Sequence, residues 1–480
     1  MKLGPKGGMV SFLSQDQLQR LHEAALALLG NPGIHCESDL LLDVFARGGA
    51  HVDREARTVR IPADLVEWAI RSAPSSFVLY ARDDPANDLL LEEGRVYYGM
   101  GGTSEPGFFD WDLWARRAPT KADMISSTRI GHACENIDFV QTLCMSGDMP
   151  SDHVFFHDYD AIFRNTTKPT VLSILERPFT RKLLALAAAA SGGQQALRDR
   201  PSVIAFVSPV SPLKIGAINE GVVDAVEAGV PVMYSPGPMM GATGPATIAG
   251  TIALTTAESL AGVVLVQLLK PGAPMVLKPD TDVFDMRTSQ CTYGSPEQNL
   301  GKLAMAQLAR RYQIPIYSLG GGVEAKVPDA DAASESMMSM LLNALAGINL
   351  NQSLGSMAFG LYGCQEQVVI CDEQVRQIKH ILRGITVDED TLALDVTREV
   401  GYGGSYLGHE HTGRWFRQEL YFPRLFVRQT IEEWEASGKK MAHDVAHERV
   451  RAILEKAGPV PLSPAVDAAL EQALRDAIRS

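Results

Sequence analysis

The stretch IPIYSLGGGVEAKVPD (314–329), followed by ADAASESMMSMLLNAL (330–345), decides the fold. A short apolar run, Ile314 to Leu319, ends in Gly320-Gly321-Gly322, and Pro328-Asp329 then opens a segment with the length and composition of a helix. Three consecutive glycines reach backbone conformations closed to other residues and leave space where side chains would stand. The stretch therefore predicts a strand, an open turn and a helix, with the turn either empty or a place for a ligand.

The same unit recurs on both sides of it. Strands are expected at 139–144, 170–174, 203–207, 230–234, 275–277, 314–319, 348–352 and 368–371, and helices between most of them, at 181–190, 217–228, 248–269, 296–312 and 330–345. Eight strands with intervening helices is the count of a (β/α)8 TIM barrel. An open doubly wound sheet would also alternate, but it normally carries an early phosphate-binding glycine turn. Neither G-x-G-x-x-G opening a helix nor a Walker lysine is present. Upstream, 14–29 has helical periodicity with Ser14 as N-cap, 38–47 and 62–72 are further helices, 77–80 and 89–98 read as strands, and 99–102 as a loop. Past Arg383 the pattern is irregular, with helices over 431–457 and 464–478 and a linker over 459–464. The expected organisation is an α+β N-terminal portion (1–118) packed on the barrel (119–383), then an irregular and helical C-terminal region (384–480).

Bulk composition restricts the function classes. Of 480 residues 46% are hydrophobic and 21% charged, and the net charge is −13. An acidic chain argues against a nucleic-acid partner, and it suits a cationic ligand if the acidity is focused in a cleft. Cys36, Cys134, Cys144, Cys291, Cys364 and Cys371 form no C-x-x-C pair and read as reduced thiols. No apolar leader follows Met1, and the run 254–269 is short and interrupted by Glu258, so a buried helix is expected there and no membrane span. The default address is the cytoplasm.

In a TIM barrel the site lies where the strands end. Those ends carry small residues, amides, Lys278 and carboxylates, and no histidine. His153 and His157 stand four apart without the glutamate of a zinc-protease motif, and His409-Glu410-His411 lacks a third ligand at a recognised spacing, so no metal site is expected. There is no G-x-S-x-G elbow.

Gly320-Gly321-Gly322-Val323-Glu324-Ala325-Lys326-Val327-Pro328-Asp329 resembles the segment around the pyrrolysine of trimethylamine methyltransferases. Ser211-Pro212-Leu213, Pro238 to Thr243, Pro271-Gly272-Ala273-Pro274, Gly294-Ser295-Pro296-Glu297, Arg383-Gly384-Ile385 and Pro32-Gly33-Ile34 resemble landmarks of the same family, in family order. The resemblance, to its non-pyrrolysine branch, implies a TIM barrel and places Gly322 at the pyrrolysine position. It implies methyl transfer from a methylated amine to Co(I) of a corrinoid. Because D-x-H-x-x-G is absent from this chain, the corrinoid would be carried by a separate partner protein, and no cofactor would be tightly bound here.

A quaternary ammonium loses a methyl as a neutral amine, so the resemblance implies positioning and solvent exclusion in place of acid–base catalysis. Glycine lacks the group thought to activate a tertiary amine. The expected donor is therefore a small cation, glycine betaine first, with carnitine, proline betaine and choline open. The expected substrate-binding set is Tyr98, Gly320, Gly321, Gly322, Glu324, Asn351, Gln352, Phe359 and His409, with aromatic faces for the cation and amides for a carboxylate. Many relatives carry histidine where this chain has Gln352. His409 and His411 belong to a family landmark and could line the mouth or the partner surface. The alternatives are trimethylamine as donor, tetrahydrofolate as direct acceptor, or a non-catalytic trimethylammonium-binding protein. A homo-oligomer is expected.

Overall fold

The structure, a computed structural model, describes residues 1–102 and 104–479. Eight parallel strands form the centre: β1 (Tyr97–Met100), β2 (Phe139–Val140), β3 (Thr170–Ser173), β4 (Val203–Val207), β5 (Val232–Tyr234), β6 (Met275–Leu277), β7 (Tyr317–Leu319) and β8 (Leu350–Leu354). They neighbour one another in chain order, and β8 pairs with β1. A parallel bridge from Leu277 to Ile316, just ahead of β7, completes the ring. Each strand is followed by its helix: α1 (Lys121–Ala133), α2 (Val154–Asn165), α3 (Arg177–Ala190), α4 (Gly221–Ala228), α5 (Ile248–Leu269), α6 (Pro296–Tyr312), α7 (Ala330–Ala346) and α8 (Gln365–Leu382). This is the expected (β/α)8 barrel.

Local chemistry sets the helix ends. The Thr120 and Asp123 side chains cap the start of α1 reciprocally. The Ser295 hydroxyl accepts from the Gln298 amide ahead of Pro296 in α6, and Asp329 accepts from the amides of Asp331 and Ala332 at the start of α7. Gly347, at φ +79°, ends α7 in the left-handed conformation that glycine takes without penalty.

Several expected elements are corrected. The first barrel strand is Tyr97–Met100, inside the segment assigned to the N-terminal portion. The run read as one strand over 89–98 is split: Leu89–Leu91 pairs back on Phe77–Leu79, and Tyr97 enters the barrel. Gly99 belongs to β1 and not to a loop, because the Phe139 ring lies where a β-carbon would stand. The segment 368–371 is helix, inside α8. A buried apolar run of four has no period that separates strand from helix, and α8 is covered outside by the helix Ala442–Lys456.

Inside the barrel each strand contributes one residue to an apolar plug: Tyr97, Phe139, Val171, Ile204, Met233, Val276, Tyr317 and Leu350. Leu79, Leu89 and Leu91 of the N-terminal hairpin close the plug from below. The N-terminal helices Gln15–Gly30, Asp39–Arg47 and Ala63–Ser72 pack on α5, which is why that helix is apolar all round. It is long and apolar enough to cross a membrane, with a mean hydropathy of 1.8, but 89% of that window is buried inside the protein. The final helix, Pro464–Arg479, lies against α2 and α3.

Candidate active site

The strand period of two decides what faces the barrel mouth. One step above the plug, on the same face, stand Gln141, Ser173, Phe206, Ser235, Lys278 and Gln352. The Gln352 amide donates to the Gly102 carbonyl at 2.8 Å and to Gln141 Oε1, and Gln141 reaches Ser173 Oγ at 3.5 Å. On the far side the Lys278 ammonium donates to Ser235 Oγ at 3.1 Å and pairs with Asp280. It also stands 5.3 Å from the Phe206 ring centroid and 5.5 Å from that of Tyr317. A polar layer with aromatic faces thus lies directly above an apolar plug.

Above that layer the acids gather. Asp282 accepts from Gln298 Nε2 at 2.9 Å, and burial, with Asp280 beside it, raises its pKa. Burial lowers the pKa of Lys302, on α6, to about 8, against the pull of Asp282 and Asp280. Its ammonium has no hydrogen-bond partner among the described residues. From the loop after β1 comes Glu105, 2% exposed. Its carboxyl lies against Gly102, yet among the described residues neither oxygen makes a hydrogen bond of good geometry. Burial raises its pKa to about 8, opposed by the Ser356 hydroxyl.

The glycine turn is rigidly held. The Gly320 amide donates to the Gln352 carbonyl at 2.7 Å, the Gly321 amide to Ser339 Oγ at 3.1 Å, and Asn343 Nδ2 to the Leu319 carbonyl at 2.9 Å. Gly321 has φ +104°. A β-carbon at Gly320 or Gly321 would point outward, toward Asn343 and Asn351 or toward Leu354 and Met340. At Gly322 it would stand 3.0 Å from Ser353 Cβ and 3.2 Å from Tyr293 Cδ2. The Tyr293 ring, from the segment after the Asp282–Asp285/Gln290–Thr292 hairpin, therefore packs over Gly322. Glu324 holds that approach: its Oε1 accepts from the Gly294 amide at 3.3 Å, while the Glu324 amide donates to Glu335 at 2.6 Å.

The remaining expected residues are placed as follows. Tyr98 and Asn351 alternate with the plug residues Tyr97 and Leu350, so both face away from the barrel interior. Tyr98 is buried toward α7, its hydroxyl 3.5 Å from the Met340 carbonyl. Asn351 donates to the carbonyls of Tyr97 and Ile348 at 3.2 and 3.1 Å. Phe359, half-buried with its amide on the Val323 carbonyl, has the Lys326 ammonium 4.2 Å from its ring centroid, so one face already holds a cation. His409 caps the helix Glu410–Glu419 and lies 3.5 Å from Glu399, while His411 contacts the Asp390 carbonyl. The far end of that helix is tied to Arg383. Arg383 follows the C-terminus of α8, at the end of the barrel opposite the mouth. Strand parity thus turns Tyr98 and Asn351 away from the barrel interior, and the contacts of His409 are with the C-terminal region, to Glu399 and the His411 amide.

Glu105, Gln141, Phe206, Tyr293 and Lys302 were not singled out from sequence, and Lys278 only as the lysine at a strand end. Placing Tyr97–Met100 in the barrel would have found Glu105, five residues past the strand. Cys364 and Cys371 are buried, which pushes the first thiol far up and the second to about 12. Neither is a thiolate at neutral pH.

Residues 5–479 match the trimethylamine methyltransferase (MTTB) family. The chain belongs to that family. Over 471 residues it is 34% identical to the trimethylamine methyltransferase MttB of Desulfitobacterium hafniense strain DCB-2, covering 98% of this chain and 94% of that one. It is 32% identical over 464 residues to the glycine betaine methyltransferase of D. hafniense strain Y51, covering 96% of each. It is 28% identical over 477 residues to an MttB of Methanosarcina barkeri, covering 95% and 93%. The protein is accordingly a corrinoid-dependent methyltransferase of the methylamine and quaternary amine class, and its methyl acceptor is carried by a separate corrinoid protein.

Proposed function

We propose that this MTTB-family enzyme takes its methyl group from a quaternary trimethylammonium compound, with glycine betaine as the leading donor. The observation that carries this reading is Gly322. At the position that the family pattern gives to pyrrolysine there is no side chain, and Tyr293 and Ser353 occupy the adjoining space at 3.2 and 3.0 Å from where a β-carbon would be. A tertiary amine has no activating group to bind there. A quaternary ammonium needs none, because its leaving group is already neutral. What the protein must supply is a dry, oriented site. The Tyr293 ring, packed over Gly322, offers an aromatic face to the cation. The ammonium groups of Lys278, on Ser235, and of Lys302, buried beside it, are the cations available to the carboxylate of a betaine. Gln352 contributes by holding Gln141 and the Gly102 carbonyl in place.

The test is methyl transfer to free cob(I)alamin and to a corrinoid protein, followed by absorbance, with glycine betaine, carnitine, proline betaine, choline and trimethylamine as donors. Turnover with one or more of the four quaternary amines is expected. Turnover with trimethylamine alone would overturn the reading. That second reading, trimethylamine as donor, is favoured by the 34% identity to an enzyme of that name.

A further inference from the structure

We propose that Glu105 is the counter-ion of the donor's ammonium group: a carboxyl held at the barrel mouth without a partner, which ionises when a quaternary ammonium enters and loses its proton to solvent as it does so. The inference deepens the reading above and rests on it.

A carboxyl buried without hydrogen bonds is costly and needs a reason. Glu105 is 2% exposed, and among the described residues neither of its oxygens makes a hydrogen bond of good geometry; the Ser356 hydroxyl and the amides of Gly102 and Glu105 lie close enough to favour its charged form without offsetting burial. No lysine, arginine or histidine among the described residues pairs with it, although Lys278 and Lys302 stand in the same mouth. It is not a structural ion pair that lost its mate. The backbone around it is anchored independently: Ser104 Oγ meets Thr142 Oγ1 at 2.9 Å, the Gly102 amide donates to the Thr142 carbonyl at 3.1 Å, and the Met145 amide donates to the Glu105 carbonyl at 3.0 Å. The backbone that carries the carboxyl is therefore fixed by bonds in which the carboxyl takes no part. Gly102, against which it lies, accepts from Gln352, so the group stands at the rim of the inward-facing polar layer.

The groups that feel its charge come from three other elements: Tyr293 from the segment after β6, Tyr317 from β7, and Cys144 from the segment after β2. Burial raises the pKa of each, and Glu105 raises it further, so all three are neutral when Glu105 ionises. They supply rings and a thiol but no competing cation. With an ordinary value of 4.5 raised to about 8, the free enzyme holds Glu105 protonated at neutral pH. A fixed positive charge against it favours the carboxylate, because opposite charges in a dry site attract strongly. A tetraalkylammonium cannot donate a hydrogen bond, so an acid made available for charge alone, with no donor geometry, matches it.

The experiment is isothermal titration of the whole enzyme with glycine betaine and with 3,3-dimethylbutanoate, which has the same skeleton with carbon in place of nitrogen. It is run in two buffers of different ionisation enthalpy at pH 7 and again at pH 9.5. The expected result is that betaine binds more tightly than its neutral-headed isostere and releases about 0.9 proton at pH 7 and almost none at pH 9.5. Glu105→Gln should abolish the release and weaken betaine by roughly tenfold or more, with the isostere changed less than about twofold. Glu105→Asp, which keeps the charge, should retain the release and serves as the second variant if the amide folds poorly. Betaine binding with no proton release, or unaltered by Glu105→Gln, overturns the role of Glu105 and leaves the donor class standing. If neither betaine nor the other quaternary amines bind or donate a methyl, the reading of the donor itself falls.

Discussion

At the scale of the residue, an unpartnered acid should leave its mark on stability as well as on binding. Glu105 keeps a proton in the folded state up to about pH 8, whereas the unfolded chain loses it near the ordinary 4.5. Between those values the folded state binds more protons, so stability falls as pH rises through that window and levels off above about 8. Glu105→Gln does not titrate. Its melting temperature should therefore gain on the wild type as pH is raised from 5 to 9, by the equivalent of a few kcal/mol, on the order of what such a shift represents. Parallel curves for the two proteins in a pH series of calorimetric scans would mean that Glu105 has a partner in solution. Gly322 makes a different kind of prediction. A methyl there meets Ser353 Cβ at 3.0 Å and Tyr293 Cδ2 at 3.2 Å, so the ring must give by a few tenths of an ångström. Gly322→Ala should cost less than ~1 kcal/mol of stability, because a half-buried ring can move. It should nonetheless raise KM for the quaternary donor severalfold, because the same ring forms the cation face. Steady-state kinetics beside a melting curve separates the two effects, and an unchanged KM would remove Tyr293 from the donor site.

At the scale of the element, close packing between helix and strand sets the sign of small changes. Gly262 lies in the middle of α5, where alanine would raise helix propensity by ~1 kcal/mol. Its β-carbon, however, would stand 2.1 Å from Tyr234 Cδ1, a ring fixed in the wall on β5. Overpacking of that kind costs about 1–3 kcal/mol, so Gly262→Ala should be net destabilising in urea denaturation. Gly30, at the end of its helix, has nothing within 4 Å of an added methyl, and Gly30→Ala should stabilise by a few tenths to ~1 kcal/mol. This competition also explains how far the sequence could be read. Most of the barrel was legible because strand, turn and helix repeat with local signals, such as Ser295-Pro296 and Asp329 at helix starts. Tyr97–Met100 was not, because its last two positions, Gly99 and Met100, read as the start of a loop until Phe139 is known to fill the space beside Gly99. The same omission hid Glu105. Tyr98 and Asn351 were drawn to the mouth by their chemistry, but which face of a strand looks inward depends on register with its neighbours. Gln352, one residue from Asn351 and carrying the same amide, faces the other way by that parity.

At the scale of the whole molecule, one region does not account for its own order. From Arg383 to Arg424 no residue is buried. Ile385 is 91% exposed and Leu407 86%, and Val387, Leu392, Leu394, Tyr402, Tyr406, Leu420 and Phe422 are exposed with them. The helices Glu389–Leu392, Leu394–Val400 and Glu410–Glu419 contribute no buried side chain. Ordering a residue costs about 1–2 kcal/mol of backbone entropy, and the polar contacts seen here, such as Arg414 with Asp390 at 2.8 Å, are exposed pairs that return little of it. Apolar exposure on this scale marks an interaction surface. The arm springs from the end of α8 opposite the barrel mouth, so a second copy of the chain could cover it and leave the approach of the corrinoid protein free. The homo-oligomer expected from sequence should therefore bury this arm. Sedimentation velocity should give a species larger than one chain, and Ile385→Glu combined with Leu407→Glu should shift it toward the monomer. Methyl transfer by that variant to free cob(I)alamin should survive, since the mouth residues Glu105, Lys278 and Gln352 belong to the barrel of a single chain. A wild-type monomer in solution would instead leave these side chains in water, and the arm should then be cut first in limited proteolysis.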